Sequence, residues 1–143
     1  MIRSMLFLPG NNPNMLINAA YLGADAVIFD LEDAVSPSEK DAARILVRNT
    51  MRYMDFMGCE IIVRINPIET DFWKKDLDEV IPLCPGMIMP TKVDSGDYVR
   101  TISAYIGQME EKYGIEAGSV KMIPLIETAP PSSPPCPASI TNV

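Results

Sequence analysis

Five short apolar runs recur along the chain at fairly even intervals: Met5–Leu8, Ala26–Leu31, Glu60–Ile65, Gly86–Met89 and Lys121–Ile126. Each is brief, nearly unbroken in apolar character and bounded by Gly, Pro, Asn or Asp. A strand with one wet face alternates apolar and polar residues. A run without alternation predicts a strand covered on both faces, as in a parallel sheet. Between the runs lie apolar stripes at helical spacing. The first is Met15, Leu16, Ala19 and Ala20; the second is Ala43, Leu46, Val47, Met51 and Met54. The third is Trp73, Leu77, Val80 and Ile81, and the fourth is Tyr98, Ile102, Tyr105, Ile106, Met109 and Tyr113. Ser36-Pro37 offers the second stripe a cap and a first-turn proline, and Gly114 offers the fourth a stop.

The order is therefore β-α-β-α-β-α-β-α-β, which implies right-handed crossovers and a parallel sheet. A doubly wound open sheet and a (β/α)8 barrel both satisfy it. No GxGxxG follows the first run, so the nucleotide-binding open sheet lacks its usual marker. A repeat of about 30 residues fits the barrel, whose eight units need about 250 residues. The expected fold class is α/β, the N-terminal part (about five βα units) of a (β/α)8 TIM barrel, truncated. Residues 1–129 would form this partial barrel domain. From Pro130 the composition changes abruptly to Pro-Pro-Ser-Ser-Pro-Pro-Cys-Pro, and five of the chain's 13 prolines fall in residues 130–143. That tail is expected to be extended or disordered. It reads as the end of a truncated or frame-shifted gene product, with a native proline-rich tail as the alternative.

Composition narrows the function. Twelve basic residues against nineteen acidic ones give a net charge of −7, which argues against nucleic acid or an anionic membrane as partner. No apolar run approaches the roughly 18 residues of a spanning helix, and the N-terminal run is short for a signal peptide. Three cysteines without CxxC spacing, Cys59, Cys84 and Cys136, predict reduced thiols in a cytoplasmic protein. The absence of histidine excludes His-based triads and His metal sites within the chain and leaves carboxylates, Arg, Lys and Tyr for any chemistry.

In a parallel barrel the active site forms at the C-terminal strand ends. The residues there are Pro9-Gly10-Asn11-Asn12, Asp30-Leu31-Glu32-Asp33, Arg64-Ile65-Asn66-Pro67, Pro90-Thr91-Lys92 and Glu127-Thr128. Carboxylates without histidine suit a hard divalent cation, since Mg²⁺ takes one or two carboxylates plus substrate oxygens and water. A nearby arginine would hold a carboxylate or stabilise an enolate oxygen. Each residue also has a plainer role. Asp30, Glu32 and Asp33 would form a polar loop, and Glu127 would be a loop residue. Lys92 would pair with a rim carboxylate, and the Tyr and Met stripe would be core. Arg64 follows an apolar run and would be costly to bury unpaired.

Taken together, these segments resemble the citrate lyase beta subunit family. The resemblance rests on Arg3–Gly10, Gly23–Val35 around Phe29-Asp30-Leu31-Glu32-Asp33, Val63–Pro67 and Pro124–Thr128, with Lys40, Ala43 and Arg44 in their family places. It extends to about residue 129. The family is the HpcH/HpaI aldolase group, with malyl-CoA, citramalyl-CoA and citryl lyases. The resemblance implies Mg²⁺-dependent retro-aldol cleavage of a 3-hydroxyacyl thioester linked to an acyl-carrier protein or to CoA; for a citryl thioester the products are oxaloacetate and the acetyl thioester. It assigns Arg64 and Glu127 to catalysis and substrate binding, Glu127 also to the metal, and Asp30, Glu32 and Asp33 to the substrate rim. Alpha and gamma citrate lyase subunits and a homo-oligomer of the full-length form are the implied partners. The family's second metal aspartate lies on a sixth strand that has no counterpart here, so this chain by itself is expected to be inactive. A malyl-CoA or citramalyl-CoA lyase and a non-catalytic remnant are the alternatives.

Overall fold

The computed structural model describes residues 1–127. Within them lie five strands, β1 (Met5–Pro9), β2 (Ala26–Asp30), β3 (Glu60–Arg64), β4 (Met87–Met89) and β5 (Lys121–Met122). The α-helices are α1 (Pro13–Ile17), α2 (Lys40–Tyr53), α3 (Phe72–Val80) and α4 (Gly96–Tyr113). The residues of the proline-rich tail, Thr128 and Cys136 lie outside the described residues.

All strand pairings are parallel, in the order β1-β2-β3-β4-β5. A doubly wound sheet reverses its strand order at a switch point and carries helices on both faces. Here the order never reverses, so right-handed crossovers place every helix on the same side. The packing agrees. One face contributes Val27, Phe29, Val63 and Ile88 to a core shared with Leu16, Val47, Leu77 and Ile102 of the four helices. The other face carries Ala26, Ile28, Ile62 and Met89, joined only by Met87, Ile123 and Leu125. A curved parallel wall, helices outside and strand residues inside, is part of a barrel, as expected.

Two strands depart from the expectation. β2 is buried at every position, but Met5, Leu6 and Phe7 of β1 are 48%, 37% and 45% exposed. An unbroken apolar run shows what a strand can cover, whereas burial depends on neighbours, and β1 is an edge of this sheet. The fifth run pairs regularly over only two residues, because Pro124 has no N–H to continue the ladder. Its line nevertheless persists, with Ile123 N donating to the Ile88 carbonyl and Leu125 N to that of Pro90, both at 2.9 Å.

The helices follow their stripes. In α4, Ser95 caps the Tyr98 amide, and Gly114 closes the helix at φ 67°, where a side chain would be strained. Trp73, Leu77, Val80 and Ile81 are all buried, the last in a 3₁₀ turn that extends α3. Ser36 does not cap α2. Its hydroxyl donates to Glu39, and a 3₁₀ turn, Pro37–Glu39, leads into the helix. The first stripe splits into α1 and a 3₁₀ turn, Ala19–Tyr21. Gly10 matters for the rim: its N donates to the Asp30 carbonyl at 2.8 Å, and a Cβ there would sit 2.7 Å from that oxygen. Among the described residues no helix is long and apolar enough to cross a membrane, and Cys59 and Cys84 are free thiols.

Candidate active site

Asp30 and Arg64 are the last residues of β2 and β3 and are register partners, so their side chains leave the same inner face. Arg64 Nε donates to Asp30 Oδ1 at 2.7 Å and Nη2 donates to Oδ2, a two-pronged pair. Asp30 also accepts the amides of Glu32 at 2.8 Å and Ala34 at 3.1 Å, which curls the following loop around its carboxylate. Burial raises the Asp30 pKa. The hydrogen bonds from Arg64 and the two amides, with the guanidinium charge, outweigh it and hold the carboxyl below the usual range. On the far side, the Arg64 guanidinium lies over the Phe7 ring, 5.1 Å from its centre.

Glu32 completes the cluster. Its carboxylate is buried, with Lys92 Nζ 3.1 Å from Oε1 and Arg64 Nη1 3.5 Å from Oε2. Neither oxygen receives an aligned hydrogen bond. Lys92 reaches it from a left-handed backbone position, φ 54°, and is half exposed. Contact with Glu32, reinforced by the charges of Asp33 and Glu127, raises the Lys92 pKa. The expected pairing of Lys92 with a rim carboxylate is therefore present, and the partner is Glu32.

The structure thus brings Asp30, Glu32, Arg64 and Lys92 together. Asp33 and Glu127 are exposed and make no ion pair among the described residues. The Arg64 fork is largely committed to Asp30, and Nη1 faces the Glu32 carboxylate. Among the described residues no three His, Cys, Asp or Glu side chains stand close enough to hold a metal. Of the candidate carboxylates, Asp33 and Glu127 are the ones not tied to a cation among the described residues, and Mg²⁺ commonly takes one or two.

A second layer escaped the sequence reading. Lys40, buried at the start of α2, donates from Nζ to the Leu31 carbonyl at 2.7 Å and also to that of Glu32; burial lowers its pKa. Arg44 Nε donates to Asp76 Oδ1 at 2.8 Å, and Asp76 Oδ2 accepts the Asn66 amide at 3.0 Å and Asn66 Nδ2 at 2.7 Å. Tyr98 donates to the Thr91 carbonyl at 2.7 Å and accepts from the Ile68 amide at 3.1 Å, tying the β3 and β4 loops together. One signal was available: Asp76 sits among Trp73, Leu77 and Val80 on the apolar face of α3, where a carboxylate needs a partner.

The HpcH/HpaI aldolase/citrate lyase family profile matches residues 3–130. The chain belongs to this family. Among curated relatives, citrate lyase subunit beta of Leuconostoc mesenteroides subsp. cremoris is 39% identical over 127 residues, 89% of this chain and 42% of the relative. A (3S)-malyl-CoA thioesterase of Cereibacter sphaeroides (strain ATCC 17029) is 36% identical over 104 residues, 73% of this chain and 36% of the relative. This family member therefore spans less than half the length of these relatives. Among solved structures, the protein CitE of Mycobacterium tuberculosis in complex with magnesium and acetate superposes with a TM-score of 0.66 at 30% identity, covering 87% of this chain and 44% of that one. Haloferax volcanii malate synthase, TM-score 0.78 at 19% identity over 90% of this chain and 43% of its own, shows the shared fold.

Proposed function

We propose that the chain carries the strand-one to strand-five part of a Mg²⁺-dependent carbon–carbon lyase site, which cleaves a citryl thioester to oxaloacetate and an acetyl thioester by a retro-aldol reaction. The observation that supports this most is the buried Asp30–Arg64 pair at the rim, with Glu32 and Lys92 around it, in a family with citrate lyase beta subunits. A citrate lyase beta subunit of M. tuberculosis, 27% identical to this chain, was solved with oxaloacetate and magnesium.

Asp30 fixes the guanidinium plane of Arg64, so that the N–H groups it leaves unbonded, two on Nη1 and one on Nη2, would meet the negative charge that develops on a thioester enolate oxygen. Glu32 and Lys92 set the charge around that oxygen, and exposed Asp33 borders the entrance to the substrate. Glu127 would hold the ion through one carboxylate oxygen. The ion, when bound, supplies a Lewis acid and template for the keto-acid half. With Glu127 as the single proposed ligand and no cluster of three potential ligands among the described residues, the 143 residues alone would bind Mg²⁺ weakly and lack lyase activity. The acyl thioester would be linked to an acyl-carrier protein or CoA, with alpha and gamma subunits and a homo-oligomer as the setting.

A chimera tests this: residues 1–127 replace the matching segment of the L. mesenteroides beta subunit, and oxaloacetate release from citryl-CoA is followed with and without Mg²⁺. Mg²⁺-dependent release is expected, falling roughly 10²-fold in Arg64→Lys, as for loss of an oxyanion donor. A folded chimera without activity sinks the reading. Preference for malyl-CoA would favour the second reading, which the malyl-CoA thioesterase relatives support.

A further inference from the structure

We propose that helix α2 is a two-point brace for the site, with Lys40 and Arg44 as its positioning residues. The two lie one turn apart on the buried face of the helix. Lys40 grips the β2 loop directly, through the carbonyls of Leu31 and Glu32. Arg44 grips the β3 loop through Asp76, whose second oxygen holds both the backbone and the side chain of Asn66. Between the two grips stand the residues that matter at the rim. Glu32 carries one of the gripped carbonyls, and Arg64 lies two residues before Asn66.

Three features make this more than ordinary packing. Successive carbonyls of a strand point in opposite directions, yet those of Leu31 and Glu32 converge on one nitrogen. Lys40 therefore stabilises the departure from strand geometry where Glu32 turns its carboxylate towards Arg64 and Lys92. The backbone ladder between these strands also ends here. Leu31 N donates to the Arg64 carbonyl at 3.0 Å, but Asn66 N, which would supply the next rung to the Leu31 carbonyl, donates to Asp76 instead, and Lys40 takes that carbonyl. Beyond that bond, the spacing of the two loops depends on what ties each to α2. Lastly, a buried ammonium and a buried guanidinium are costly to desolvate, and an apolar side chain of similar size would serve stability alone as well or better. Arg44 even leaves Nη2 buried without a partner.

The brace deepens the proposed lyase reading, and it rests on that reading only for what the braced cluster does. Its test is amide hydrogen exchange on the 143-residue chain at low concentration, read by mass spectrometry with residue-level fragmentation. In Lys40→Met the amides of residues 31–35 should exchange about tenfold faster or more, since hydrogen bonds to a charged donor are the stronger class. Residues 27–29 and 61–63 should change far less. Lys40→Arg, which restores a cationic donor, should recover most of the protection. Asn66→Ala should release the other arm, with acceleration at residues 65, 66 and 68 and not at 31–35. No change in either variant, or equal acceleration throughout the chain, would overturn the brace. If Lys40→Met does not fold, Asn66→Ala alone decides. In the chimera, Lys40→Met should lower kcat about tenfold or more through misplacement of the cluster, with KM little changed. An inactive chimera with the expected exchange pattern would instead overturn the lyase reading.

Discussion

The most exposed quantitative consequence of the structure is the coupling between Asp30 and Arg64. In Asp30→Ala the guanidinium loses its two-pronged partner while its side chain stays 12% accessible. Breaking one member of a buried pair typically costs about 3–5 kcal/mol. The lower end applies, because Arg64 keeps some exposure and the Glu32 carboxylate 3.5 Å away. The Glu32 amide also loses its acceptor inside the fold, for roughly another 1 kcal/mol; the Ala34 amide is near solvent and costs less. The single variant should therefore lose about 4 kcal/mol. Arg64→Met leaves the Asp30 charge buried with two backbone donors, for about 3 kcal/mol. In the double variant no charge is left unpaired, and the loss should shrink to about 2–4 kcal/mol, well below the sum. The coupling is thus about 3 kcal/mol or more. Urea unfolding followed by circular dichroism at low micromolar protein measures it. With a slope of about 1.5 kcal/mol per molar, the Asp30→Ala midpoint falls by about 2.5 M. A coupling below about 0.5 kcal/mol would refute the pairing that orients Arg64.

Other consequences are simpler to read. The chain should self-associate as concentration rises, because Met5, Leu6 and Phe7 lie exposed on an edge strand, and Met15, Ile17 and Leu22 are exposed as well; sedimentation velocity showing a monomer into the hundred-micromolar range would contradict this. Burial and the hydrogen bond to Asp78 push the Tyr105 hydroxyl up to about 12, so an absorbance titration at 295 nm should show a tyrosine ionising there. A raised folded pKa gives stability that is full below about 10, the unfolded value, and lost between pH 10 and 12; Tyr105→Phe should flatten that loss. Gly10→Ala should destabilise by about 1–3 kcal/mol in the same urea assay, as overpacking does, because the new Cβ meets the Asp30 carbonyl oxygen.

The fold was legible because the apolar runs and the 3.6-residue stripes are local features, and local features survive without coordinates. The all-parallel sheet followed from their alternation. The sequence order alone left the barrel and the doubly wound sheet both open, and the unreversed strand order with helices on one face decides between them. What stayed hidden depends on distant partners. Leu6 and Phe7 look as apolar as Val27 and Ile28, but β2 has a strand on either side and β1 does not. At the site, the strand-end rule predicted that Asp30, Glu32 and Arg64 share a rim, and they do. It did not say that Asp30 would occupy the Arg64 fork, nor that Glu32, rather than Asp33, would turn inward. Arg44 and Asp76 are 32 residues apart, and no pattern within one helix reveals that they meet.

The charge of the rim follows from these placements. Asp30, Glu32, Asp33 and Glu127 supply four negative charges; Arg64, Lys92 and Lys40 supply three positive ones, and Lys40 spends its donors on backbone carbonyls. A dicarboxylate arriving alone would meet a slightly negative rim whose arginine is already neutralised by Asp30. Electrostatics therefore disfavour a site that captures its anion by arginine alone. Under the proposed function a divalent cation would reverse the sign of the rim, with the exposed carboxylate of Glu127, beyond β5, as its proposed ligand. In the proposed site Arg64 is held by Asp30 and nearly neutralised, so the N–H groups not bonded to Asp30 would discriminate by position rather than by bulk attraction. That is the property required of a donor that must favour charge developing in a transition state over charge already present in the ground state.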